Sequence, residues 1–276
     1  MVRKGALISD GLKQEAFLRG VLPSLSKDEL GHAIALLGKA QDRGNFCAQG
    51  VWDEVWRQSG RVNAEGCLST FAKNTSRGDC RHLMEGWLEA DPEGALAWAK
   101  TPKSSPPEVA AAAYALTHEA GGDASKLLST ISSLPTDAAV TKECLKDYFD
   151  LADLTGQTQG TASTYDQLPP TLKPQAWETT MQRLIYTDPQ LAVDWLASHV
   201  NDAGRNYRPT APLFVELAKD DPAGAAAWAA KLPDEPNDSY HPGQIVYSTW
   251  IRKDSTAAKA WLDTIPLSTA WAYRFR

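Results

Sequence analysis

Apolar residues in this chain recur at spacings of three and four. In "PLFVELAKDD" they are Leu213, Phe214, Val215, Leu217 and Ala218; in "IVYSTWIRKD" they are Ile245, Val246, Tyr247, Trp250 and Ile251. Each set falls on one stripe of a helix. A second helix is predicted after each, because Ala225, Trp228, Ala229 and Leu232 keep the same rhythm. No period-two alternation marks a strand, so the chain reads as all-α.

Proline and aspartate punctuate these helices. Pro92, Pro189 and Pro222 each follow an aspartate. Proline costs nothing at the first helical position, where its missing N–H would be unpaired anyway. The aspartate before it is then the N-cap and faces the positive end of the helix dipole. Leu-Pro at 134–135, 168–169 and 232–233, and Ile265-Pro266, end the second helices.

The aspartates also set a period. Asp188, Asp221 and Asp254 lie 33 residues apart, and Asp91 lies 97 before Asp188, close to three periods. Seven residues after each stand Trp98, Trp195, Trp228 and Trp261. Four after stand Ala95, Ala192, Ala225 and Ala258; four before stand Trp87, Leu184, Leu217 and Trp250. Weaker copies phase on Asp123, near Gly156 and, after a shorter interval, on Asn63.

A unit is thus helix A, a tight turn and helix B. A hairpin this short cannot bury both faces, so the units must stack. The expected architecture is a right-handed α-solenoid of about seven hairpins. Residues 1–45 form capping helices, with a capping box in Ser26 and Glu29. Residues 46–266 form the repeats, eroded near 155–170 as a drifted repeat or a functional loop. Residues 267–276 form a cap or a truncated repeat. The alanines let helices approach closely. The tryptophans are expected to fill the core, so that Trp228→Ala would cost about 3–5 kcal/mol.

The layout "GWLEADPEGALAWAKTP" and its copies resemble the tetratricopeptide and HEAT-like helical repeats. They look more like the tryptophan- and Asp-Pro-rich helical-hairpin repeats of uncharacterised bacterial proteins, across residues 46–266. The tetratricopeptide consensus itself is not present. The resemblance implies architecture and carries no catalytic residue.

Composition narrows the function. Hydrophobic residues make up 43% of the 276, enough for a packed core. The net charge of −6 argues against binding nucleic-acid phosphates. No apolar run is long enough to span a membrane, and no signal-peptide h-region is present. The expected setting is water, either the cytoplasm or a mature exported form whose signal has been removed. Cys47, Cys67, Cys80 and Cys144 form no CxxC pair and read as buried free thiols.

The sequence offers no catalytic, metal or cofactor site. HExxH, GxSxG and GxGxxG are absent, and His32, His82, His118, His199 and His241 have no second ligand at helical spacing. The one recurring surface candidate is the pair Tyr207-Arg208 and Tyr240-His241. The two dipeptides share a phase in the loops entering helix A, where they either form a binding ridge or cover the preceding helix B. The leading reading is a non-catalytic scaffold for a protein or peptide partner. The alternative is a superhelical domain, accessory or catalytic, acting on an extended polymer such as peptidoglycan or glycan.

Overall fold

The computed structural model describes residues 1–276 except 9, 43–47, 72–76, 104, 136–138, 157–159, 203–206, 234–240, 267–268 and 276. Every regular element among the described residues is a helix. None is long and apolar enough to cross a membrane. The chain divides into two compact units, Met1–Leu151 and Ala152–Arg276.

The first unit holds α1 (Val2–Gly5), α2 (Gly11–Val21), α3 (Lys27–Asp42), α4 (Gln49–Phe71), α5 (Arg77–Ala90), α6 (Pro92–Ala99), α7 (Pro106–Ala120), α8 (Ala124–Ser132) and most of α9 (Ala139–Thr155). Leu18, Leu22, Leu30 and Leu37 from the N-terminal helices close over Val51 and Val55 of α4. The Glu29 carboxylate accepts from both the N–H and the hydroxyl of Ser26 at the start of α3. Within α4 the backbone leaves helical geometry at Asn63 (φ −165°, ψ 52°). Asn63 therefore parts two helices, as its phase in the repeat predicts.

The second unit holds α10 (Thr161–Asp166), α11 (Lys173–Thr187), α12 (Pro189–Ser198), α13 (Ala211–Asp220), α14 (Pro222–Ala229), α15 (Pro242–Trp250), α16 (Ser255–Thr264) and α17 (Ala270–Tyr273). The C-terminal residues fold back. Trp271 and Ala272 are buried, and the Phe275 ring lies 5.0 Å from that of Tyr247.

The predicted caps are all present. Asp91 accepts from Gly94 N, Asp188 from Leu191 N and Asp221 from Gly224 N, at 2.9–3.0 Å. Asp123 and Asp254 each accept from two N–H groups of the following turn. Each such cap contributes about 1 kcal/mol. The polar stretch near 155–170 is not loop throughout. Gly156 and Gly160 take positive φ, and α10 follows with Thr164 and Tyr165 buried.

Small residues do set helix spacing. Ala95, Ala99, Ala225 and Ala229 are buried, as are Ala111, Ala112, Ala113 and Ala115 of α7, which packs on α5, α6 and α8. The closest approach is made by glycine. A Cβ on Gly86 of α5 would fall 1.8 Å from the Arg57 carbonyl oxygen, and one on Gly60 of α4 would fall 1.9 Å from that of Leu83. The backbones of α4 and α5 touch there.

The tryptophans depart from expectation. Trp195 is buried, but Trp98, Trp228 and Trp261 are only half-buried. Each ring instead leans on one aromatic of its own helix A. Trp98 meets Trp87, Trp195 meets Trp177, Trp228 meets Phe214 and Trp261 meets Trp250, with centroids 5.4–6.0 Å apart. The partner stands four, seven or eleven residues before the capping aspartate. Those positions share one helical face, so the partner slides along helix A by whole turns.

Candidate functional site

The candidate residues occupy different environments. Tyr207 and His241 are buried, with ring centroids 5.6 Å apart edge to face. The Tyr207 hydroxyl donates to the Pro233 carbonyl just past α14, so it meets the end of the helix B that follows it and not the preceding one. His241 accepts from Gly243 N through Nδ1 and stacks on Trp271, 5.6 Å between centroids. Arg208 is exposed. Tyr240 lies outside the described residues. Tyr207 and His241 thus seal hairpin ends, and of the described residues only Arg208 presents itself to solvent. One further period leads to Tyr273, which is 75% exposed.

His241 also lines a half-enclosed cavity of about 320 Å³ with Trp261, Trp271, Thr264 and Thr269. Its walls are stacked rings, since Trp261 and Trp271 lie 5.6 Å apart at 29°.

The first unit carries the densest charge network. Glu85 accepts from Arg57 Nη2 (2.7 Å), Arg81 Nε (3.1 Å) and the Tyr114 hydroxyl (3.1 Å), and faces His82 Nδ1 at 3.0 Å. Arg61 binds Glu89 through Nε and Nη2, and reaches buried Glu54 through Nη1. Residues of α4 and α5 one short repeat apart are thereby joined, a link that the 28-residue spacing of Arg57–Glu85 and Arg61–Glu89 could have signalled.

Burial alone would raise the Glu85 carboxyl. Hydrogen bonds from Arg57, His82 and Arg81 outweigh it and hold the group at about 2. A carboxylate saturated in this way is a poor general base. Its folded pKa lies below the unfolded value, so it stabilises the fold above the unfolded value and loses that contribution as pH falls towards the folded one. Urea midpoints should drop between about pH 4.5 and about pH 2. Glu85→Gln should flatten that part of the profile; an unchanged profile would show that the network does not hold the fold.

Ser198, His199 and Asp166 align like a nucleophilic triad but do not act as one. Ser198 Oγ lies 2.9 Å from His199 Nδ1, and His199 Nε2 lies 3.1 Å from Asp166 Oδ1. Yet Nδ1 also sits 2.8 Å from the Trp195 carbonyl, which can only accept, so Nδ1 carries the proton. It cannot take one from serine, whose hydroxyl itself donates to Trp195 O. His199 stacks on Trp195 at 4.3 Å and closes the end of α12. Beside it, burial first and then Asp202 push the Tyr165 phenol up.

Burial likewise pushes the Cys80 thiol up to about 11 and the Cys144 thiol up to about 12, values that suppress thiolate nucleophiles. Cys67 is half-buried and Cys47 lies outside the described residues. No group of three metal-ligating side chains occurs among the described residues. No family model, curated protein or solved structure matches this chain.

Proposed function

We propose that the hairpins form a right-handed α-solenoid of about seven units acting as a non-catalytic scaffold for protein–protein interaction. The supporting observation is the recurrence of one packing scheme inside each unit. Helix A packs on the next helix A (α5 on α7, α13 on α15), and helix B on the next helix A (α6 on α7, α14 on α15). Contacts between neighbours alone leave long faces open, the property that helical-repeat proteins use for binding. The resemblance to tetratricopeptide-like and HEAT-like repeats agrees with this reading. The polar groups best placed for chemistry, Glu85 and His199, are committed to structural bonds.

A partner captured by the chain should rebind when both are purified, with a measurable Kd. Release of soluble fragments from peptidoglycan or a glycan by the purified chain would overturn the non-catalytic reading and favour the polymer-processing one.

A further inference from the structure

We propose that a crevice beside Trp228 receives an arginine side chain of the protein partner, an inference that rests on the scaffold reading. The crevice lies between α12 and the hairpin α13–α14 and has a volume of about 170 Å³. That is room for about five waters, or one long side chain. Val193, Leu217, Ala225 and the Trp228 ring form its walls, and Asp220 and Asp221 stand in its lining.

The charges favour a cation. Asp220 is exposed, and Asp221 is the N-cap of α14, where its carboxylate offsets the positive end of that short helix. The carbonyl end of α13 converges on the same turn and already draws one ammonium, because Lys253 Nζ donates to the Lys219 carbonyl at 2.9 Å. Lys219 of α13 is paired with Glu216. A flat guanidinium satisfies both surfaces at once, stacking on indole while it binds carboxylate.

The first unit sets a cation of its own beside such a place. Its corresponding crevice, between the Asn63 and Asp91 turns, is lined by Trp87, Ala90, Asp91 and the chain's own Arg61. The Arg61 guanidinium is held at its edge by Glu54 and Glu89, the second of which is in phase with Lys219, so beside Trp228 the acidic groups are Asp220 and Asp221 instead. In the second unit the residue in phase with Arg61 is Tyr186, which is 92% exposed. Trp98, in phase with Trp228, also carries a cation, with Lys103 Nζ 4.0 Å from its ring centroid. The residue in phase with Lys103 is Pro233, which has no charge to offer.

The test uses ¹⁵N-labelled protein, with the Trp228 indole N–H resonance assigned by its loss in Trp228→Phe. Nα-acetyl-arginine amide should shift that resonance saturably. Its neutral isostere, Nα-acetyl-citrulline amide, should bind at least about five-fold more weakly, as expected for the loss of about 1 kcal/mol of cationic attraction. Asp220→Asn should bring the arginine affinity towards that of citrulline. Equal shifts from both probes, no shift at Trp228, or an unchanged affinity in Asp220→Asn would overturn the assignment. Those results would leave the scaffold reading standing, because it depends on the reconstituted partner and not on this crevice.

Discussion

Trp177→Ala is expected to cost about 3–5 kcal/mol, the range for deleting a large aromatic from a core. Trp177 is completely buried in α11 and supports the Trp195 ring at 5.7 Å. Its removal opens a void where neighbouring helices already pack closely, and the Trp195 indole then loses its backing. Trp228→Ala should cost less, about 1–2 kcal/mol, because one side of that ring already faces the crevice and less apolar area returns to water. Urea unfolding followed by far-UV circular dichroism, which does not depend on the deleted fluorophore, measures both. Equal losses, or a larger loss at Trp228, would show that burial does not govern the tryptophans as described.

Gly86→Ala should destabilise by about 1–3 kcal/mol, the range for overpacking a tight contact. The sign is the informative part. In an exposed helix interior the same exchange gains up to about 1 kcal/mol. Here the new methyl carbon meets the Arg57 carbonyl, and main chain cannot swing aside as a side-chain tip can. The helices α4 and α5 must separate, which also loosens the Arg57–Glu85 and Arg61–Glu89 pairs. Gly31→Ala is the control, since a Cβ there meets nothing within 4 Å on an exposed face of α3. It should gain stability in the same urea titration. A neutral or favourable Gly86→Ala would mean that the two backbones do not touch.

The capping aspartates, the proline stops and the helical hairpins were legible because each is a local rule, written within a few residues. Depth was not. A period of 3.6 says which face of helix B turns inward, but not whether its neighbours cover Trp228 or Trp261. The aromatic partners were hidden for a related reason. Their positions on helix A shift by whole turns, so a search at fixed offsets finds Trp87 and Trp250 together, yet pairs Phe214 with Met181 and passes over Trp177. Shared phase brought Tyr207 and His241 to notice correctly as recurring loop residues. Only the three-dimensional structure shows both rings buried against one another. The crevice beside Trp228 was out of reach of the sequence, because its walls come from two neighbouring hairpins whose packing no local rule states.

The seals at the hairpin ends have a direction. Tyr207 is covered by His241, and His241 by Trp271, each time by a residue from later in the chain. A ribosome delivers these residues in that same order, so each finished hairpin of the second unit waits with an aromatic ring open until the next has emerged. The growing end is always the sticky end, and an arrest of synthesis between Tyr207 and His241 would leave that ring as the surface met first by a chaperone or a protease.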